Sequence, residues 1–329
     1  MATLERPRTV GELRASGYKV LPVREEMRKN LIRKIRAGED LFPGVYGYEE
    51  TVVPHIVNAI LAGQDIIFLG ERGQAKSRII RSLISLLDDS TPVLRGCEIP
   101  ENPFEPITRA GRDILEREGD SAELDWLDRD KRYGEKLATP DITIADLIGE
   151  VDPIKVAEGK YLSDELTIHY GLIPRTNRGI FCINELPDLA ERIQVGLLNI
   201  MEERDVQIRG YRIRLAHDVF VVASANPEDY TNRGRIITPL KDRYGAQVRT
   251  HYPTKIEHEM DIMESEHHPV PDDVNVVVPA YMKEVIAEIS RLARRSPDVN
   301  QRSGVSVRAS IANYESMLAN ALRRSIMTG

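Results

Sequence analysis

Gly70-Glu71-Arg72-Gly73-Gln74-Ala75-Lys76-Ser77 is the stretch on which the reading of this chain turns. A short apolar run, Ile66-Ile67-Phe68-Leu69, precedes it, and a helical pattern, Ile79-Ile80, Leu83-Ile84 and Leu86-Leu87, follows. A strand, a glycine-bearing loop closed by Lys-Ser and then a helix form the setting of a phosphate-binding P-loop. Successive N–H groups of such a loop wrap phosphates, and the next helix adds the positive end of its dipole. Lys76 then supplies a point charge to the β and γ phosphates, and the Ser77 hydroxyl serves as a Mg2+ ligand. Gly70, Glu71, Arg72, Gly73, Gln74 and Arg78 complete the candidate nucleotide-binding set around them. One departure stands out: Ala75 occupies the place of the second glycine in G-x-x-x-x-G-K-[ST]. A methyl group is tolerable there only at negative φ and pointing away from the phosphates, so negative φ is expected.

Four more signals lie downstream. Gly179-Ile180-Phe181-Cys182-Ile183-Asn184-Glu185 is an apolar strand ending in two polar residues, the form of a Walker B strand. Its first polar residue is Asn184, which can hydrogen-bond a Mg2+-bound water but brings no negative charge; Glu185 suits a general base. Val219 to Asn226 is a second buried strand, ending in an amide able to hold a lytic water. Arg243, in Asp242-Arg243-Tyr244-Gly245, precedes the last strand, where a guanidinium can reach a phosphate held by a neighbouring subunit. Arg308, in Ser306-Val307-Arg308-Ala309, opens a helix in the second domain. Each arginine alone reads as a surface or ion-pair residue; the order of all five signals carries the argument.

Strands are expected at 64–69, 92–96, 179–184, 218–224 and 246–251, separated by helical patterns at 77–88 and 189–203. This alternation argues for an α/β fold with a parallel sheet covered on both faces. Residues 1–40 read as an N-terminal helical lead-in, with Met27, Leu31, Ile32 and Ile35 inward on a basic amphipathic helix. Residues 41–253 form the nucleotide-binding domain, and 254–329 a helical lid in which Tyr281, Val285, Ile289 and Leu292 repeat at helical spacing. The segment 206–215 alternates apolar and basic residues around Gly210-Tyr211 and reads as a β-hairpin. Residues 97–178 form a long excursion between two expected strands, and so long a connection carries elements or function of its own.

The chain has 329 residues, 41% hydrophobic and 29% charged, which is ordinary for a globular protein. No run of 18 apolar residues occurs, and Met1 to Val10 lacks the apolar stretch of a signal peptide, so a cytoplasmic setting is expected. Two cysteines, Cys97 and Cys182, fit a reduced compartment. The net charge of −7 is uneven: residues 98–130 alone carry −7, whereas residues 1–40 carry +4. The acidic segment reads as a solvated face, with Trp126 packing locally inside it. His251, His258, His267 and His268 lie near no cysteine and are not read as a metal site.

Taken together, residues 41–329 resemble an AAA+ ATPase of the branch holding the magnesium chelatase I subunit and the MoxR-like ATPases. The motifs that carry the resemblance are Gly179 to Leu189, Ser224 to Asp229, Asp242 to Gly245 and Ser306 to Ala309. The resemblance implies a five-stranded P-loop sheet, a helix-2 insert from 148–159 running on to 177–179, a pre-sensor-1 hairpin at 206–215 and a small helical lid. It implies ATP and Mg2+ as cofactors, Asn226 as sensor 1, Arg243 as an arginine finger acting in trans, Arg308 as the sensor-2 arginine, and Tyr46 and Gly47 at the adenine pocket. It further implies a ring, usually of six subunits, that remodels a protein partner, commonly one with a von Willebrand A domain. Ala75 and Asn184 depart from the pattern, so tight ATP binding with slow hydrolysis is expected. Two other readings are a DNA-acting ring motor using Arg209, Arg212 and Arg214, and a nucleotide-gated scaffold. The 21 residues after Arg308 are few for a lid domain, so both a fragment and a whole chain stay open.

Overall fold

The computed structural model describes residues 6–152, 165–202, 215–226, 234–269, 276–299 and 305–328. Its strands are β1 (Ile66–Leu69), β2 (Ser90–Leu94), β3 (Leu124–Asp128), β4 (Tyr133–Leu137), β5 (Gly149–Val151), β6 (Ile168–Tyr170), β7 (Gly179–Asn184), β8 (Val219–Ala225) and β9 (Ala246–Arg249). Five of them form one sheet in the order β4-β7-β8-β1-β9, and all four pairings are parallel. The α/β class and the five-stranded parallel sheet expected from the sequence are therefore present.

One expected strand of the sheet is replaced by another. β2 pairs antiparallel with β3 in a separate two-stranded sheet. Pro92 has no N–H to donate, which suits it to a small ribbon and not to a central position. The fifth member of the main sheet is β4, Tyr-Gly-Glu-Lys-Leu, inside the excursion between residues 97 and 178. As an edge strand it carries charge, and no apolar run announced it.

Side chains of the central strands alternate between two cores, as period-2 geometry requires. Ile67 and Leu69 join Phe181, Ile183, Val221 and Ala223 on one face, where the helix Glu191–Glu202 contributes Ile193, Leu197 and Ile200. Ile66 and Phe68 join Ile180, Cys182, Phe220 and Val222 on the other. The helices Val23–Ala37, Val53–Ala62 and Lys76–Ser82 cover that second face through Met27, Leu31, Ile56, Ile60, Ile79 and Ile80. The helix expected in the N-terminal lead-in thus lies against the sheet. Its inward face differs from the expected one: Ile35 is 45% exposed, while Glu26 and Asn30 are buried beside Met27 and Leu31. Glu26 faces inward because it holds Arg132, whose side chain is fully buried, through two hydrogen bonds of 2.7 and 2.6 Å.

A satellite core of Val10, Leu13, Leu94, Ala122 and Leu124 ties the helix Val10–Ala15 to β2 and β3. Trp126 packs locally there, as expected: Tyr18 meets its ring edge-on at 6.1 Å, and its indole N–H donates to Pro7 O at 2.9 Å. β5 and β6 pair antiparallel within the expected insert, and residues 153–164 lie outside the described set, as do 206–214 of the expected hairpin.

The helices Ile256–Glu266, Ala280–Arg295 and Val307–Thr328 pack around Met263, Ala287, Tyr314 and Leu318. Beneath them Glu259 is buried, receives two 2.6 Å bonds from Arg294, and accepts from the Ser310 hydroxyl. The repeat Tyr281, Val285, Ile289 and Leu292 is helical, yet all four residues lie on the outer face, 52–63% exposed. Cys97 and Cys182 are free thiols. Among the described residues no helix is long and apolar enough to cross a membrane.

Candidate functional site

A cleft of about 800 Å3 opens above the carboxyl ends of the central strands, between the sheet and the helices Ile256–Glu266 and Val307–Thr328. Open parallel sheets bind ligands at that end. The loop from Arg72 to Arg78 forms one wall, Asn184, Glu185, Asp188 and Ser224 another, and Val307, Arg308 and Ile311 the lid side. Tyr46 and Tyr48 close the end beside the loop.

The loop is held from beneath. The Gln74 carboxamide oxygen accepts from Glu71 N at 3.0 Å and from Thr250 Oγ1 at 2.7 Å. A Cβ on Gly70 would overlap both of those side-chain oxygens, so only glycine fits. The Tyr48 hydroxyl reaches Gln74 O at 3.1 Å and His251 O at 2.6 Å, and burial pushes its pKa up to about 12. Tyr252 donates to Arg72 O at 2.9 Å. Lys76 is buried and donates to Gly70 O and to Glu71 O, the latter at 2.8 Å. Gly73 sits at φ +75°, and a Cβ there would come within 2.7 Å of Ser306 Cβ, so the lid rests against the loop.

Ala75 contradicts the expected backbone. It caps the helix Lys76–Ser82 in the left-handed region, φ 53° and ψ 14°. The loop turns into its helix as a glycine would, and the alanine accepts the strained conformation. Its side chain packs at the margin of the buried cluster that holds Ile79 and Ile80.

At the strand ends Glu185 is also left-handed, φ 55° and ψ 48°. Its N–H donates to Ser224 Oγ at 3.2 Å, and its carbonyl accepts from Asp188 N at 2.9 Å. Strained residues of this kind concentrate at functional sites. Asn184 accepts from Ser224 Oγ at 3.1 Å through Oδ1 and donates through Nδ2 to Glu135. Burial acts to raise the pKa of Glu135, but hydrogen bonds from Arg81, Tyr133 and Asn184 together hold its carboxyl below the ordinary value.

The cleft gathers Tyr46, Arg72, Gly73, Gln74, Ala75, Lys76, Ser77, Arg78, Asn184, Glu185 and Arg308. Gly70 and Glu71 lie beneath its floor, through the carbonyls that Lys76 meets. Gly47 is turned toward His258, which a Cβ would strike. Asn226 is 2% exposed at the end of β8 and forms no part of the cleft wall. Arg243 is exposed and pairs with Glu202. Arg78 pairs with Glu266 of the first lid helix. Glu135 escaped the sequence reading, and Ser224 was read only as the start of a motif, with no role of its own. Ser224 had a signal, a lone hydroxyl near the end of a fully buried strand; Glu135 had none while β4 went unrecognised.

Compared with known proteins, the chain matches no family model. The magnesium-chelatase 38 kDa subunit of Cereibacter sphaeroides is 25% identical over 229 residues, 68% of this chain and 62% of the relative. The chloroplastic magnesium-chelatase subunit ChlI of Oryza sativa subsp. indica is 28% identical over 228 residues, 64% of this chain and 49% of the relative. This chain is a homologue of magnesium-chelatase I subunits. The uncharacterized protein YeaC of Bacillus subtilis is 28% identical over 203 residues, 56% of this chain and 59% of that one. The chain thus spans less than two thirds of the length of these relatives. Among solved structures, Hsp104 with ATPγS and FITC casein superposes with a TM-score of 0.54 at 12% identity, over 96% of this chain and 51% of that one. The shared architecture is the AAA+ fold.

Proposed function

We propose that this chain is a Mg2+-dependent AAA+ ATPase of the magnesium-chelatase-I/MoxR-like type that drives remodelling of a protein partner. The observation that carries the reading is that the P-loop, the Asn184–Glu185 strand end and Arg308 of the lid line one cleft. The residues suit the ligand. Glycines at 70 and 73 keep the loop clear of side chains, and the Ser77 hydroxyl and Asn184 carboxamide are the oxygen donors a hard cation takes. Mg2+ held there by Ser77 and, through water, by Asn184 would neutralise charge on the phosphate oxygens.

Lys76 exchanges its contacts with Gly70 O and Glu71 O for the β and γ phosphates when ATP binds. Glu185 takes a proton from the attacking water as general base. By the resemblance Asn226, buried behind the cleft wall after β8, is the residue that orients that water, and Arg308 brings the lid against the phosphates. Arg243 leaves Glu202 to serve a neighbouring subunit's nucleotide, which requires a ring, six-membered by the resemblance. A cytoplasmic ring acting on a von Willebrand A domain partner completes the reading.

Mg2+-dependent ATP turnover by the purified chain tests the proposal. Glu185→Gln is expected to abolish hydrolysis while keeping nucleotide bound, and the trapped form is expected to retain the partner in a pull-down. Failure of the wild-type chain to bind ATP or ADP would remove the reading altogether. Binding without any turnover would leave the scaffold reading, which Ala75 and Asn184 favour.

A further inference from the structure

Three polar side chains lie in a row across adjacent strands at the edge of the cleft: Glu135 on β4, Asn184 on β7 and Ser224 on β8. Their hydrogen bonds all run one way. Glu185 N donates to Ser224 Oγ at 3.2 Å, Ser224 Oγ donates to Asn184 Oδ1 at 3.1 Å, and Asn184 Nδ2 donates to Glu135 Oε1 at 2.5 Å. Glu135 ends the chain. Arg81 grips it with both Nε and Nη2, at 3.0 and 3.1 Å, and the Tyr133 hydroxyl donates to it at 3.0 Å. An ionised carboxylate only accepts. Asn184 must therefore turn its NH2 toward Glu135 and its carbonyl oxygen the other way, toward Ser224.

The placement of charge follows from the same row. Asn184 and Ser224 line the cleft, whereas Glu135 lies outside its wall, behind the amide. In the parallel register Glu135 stands opposite Cys182, two residues before Asn184, so the amide reaches back along the strand to meet it. The strand end that lacks an aspartate in sequence has a carboxylate in space, one strand away.

We propose that Glu135 is the positioning residue of this strand end: it fixes the Asn184 amide with its oxygen turned toward Ser224 on the cleft wall and, by pairing with Arg81, keeps that cation's charge from the strand end. This assignment rests on the nucleotide-hydrolysis reading above and adds to it a residue outside the recognised motifs. Partners that orient a metal's ligands typically change metal affinity by about 10–100-fold when lost.

Equilibrium binding of a fluorescent ADP to the full chain, measured with Mg2+ and with EDTA, reads the gain in affinity that the ion brings. Glu135→Gln is expected to reduce that gain by about tenfold while leaving the affinity in EDTA unchanged. Asn184→Asp alone is expected to bring no increase, because two carboxylates then face each other at contact distance. The double variant Glu135→Gln/Asn184→Asp restores one donor and one acceptor with their roles exchanged and puts the charge on the cleft wall. Its Mg2+ gain is expected to exceed that of the wild type, an outcome that a purely structural link between β4 and β7 does not produce. An unchanged gain in Glu135→Gln, or an increase in Asn184→Asp as large as in the double variant, overturns the assignment of Glu135 alone. A wild-type chain that binds no nucleotide in either buffer overturns the hydrolysis reading and this assignment with it.

Discussion

The sheet domain and the lid are both organised around a buried Arg–Glu pair, yet they use it differently. In the sheet domain Arg132 and Glu26, with side chains 0% and 4% exposed, lie beneath a sheet tiled on both faces. In the lid Arg294 and Glu259, 10% and 3% exposed, lie under three helices whose buried cluster among the described residues is Met263, Ala287, Tyr314 and Leu318, with Ile256, Met260, Ile286 and Ile311 partly buried against it. The lid also turns Tyr281, Val285, Ile289 and Leu292 outward. The same interaction therefore fastens an element into a finished core in one place and replaces much of a core in the other. The lid is the part whose opening requires the least apolar surface to be exposed.

Substitutions at the two pairs give the sharpest test of this contrast. Glu26→Ala leaves Arg132 charged and buried and is expected to cost about 3–5 kcal/mol, seen as cooperative loss of the whole sheet domain in denaturant. Glu259→Ala is expected to cost about 3 kcal/mol but locally, as faster hydrogen exchange in 256–266, 280–295 and 307–328 with the sheet still protected. Equal loss of protection in both regions would break the comparison.

A titration falls within the sheet domain alone. Burial lowers His217 from 6.5 to about 4, and its Nδ1–H donates to Leu215 O at 2.8 Å. The unfolded chain binds this proton first as pH falls, so stability is full above the unfolded value of 6.5 and declines toward pH 4. The decline is on the order of 3 kcal/mol, and His217→Gln is expected to flatten it in thermal melts taken across that window.

Smaller effects lie where the two regions meet. Ala75→Gly removes left-handed strain and is expected to stabilise the fold by roughly 0.5–1 kcal/mol in chemical denaturation. A destabilisation would mean that the Ala75 methyl contributes more by packing than its backbone costs. Arg78→Ala breaks the partly exposed pair with Glu266 and is expected to shift global stability by less than about 1 kcal/mol. Its readout is instead faster exchange at the C-terminal end of the helix Ile256–Glu266.

How much of this was legible in the sequence depended on burial. β1, β7 and β8 are almost wholly buried, so they stood out as apolar runs, and the loop between β1 and its helix was plain from Gly, Lys and Ser. β4 was hidden because Glu135 and Lys136 lie on an edge strand, and Pro92 sat in a run that forms a ribbon with β3 instead. The left-handed turns at Ala75 and Glu185 could not be read from residue type, since neither alanine nor glutamate favours that region. The inward face of the helix Val23–Ala37 was misjudged at Ile35 because a buried partner, Arg132, drew Glu26 inward from 106 residues away.

The Tyr48 and Thr250 contacts beneath the P-loop bear on biosynthesis. Gln74 meets Thr250 across 176 residues, and Tyr48 meets His251 across 203. Contacts so distant in sequence form late, after the entropy of closing a long loop has been met. A ribosome that has released Gly70 to Ser77 has made a phosphate loop in name only. Its floor is laid when residues 250–252 emerge, so nascent chains stopped before that point are expected to lack the cleft.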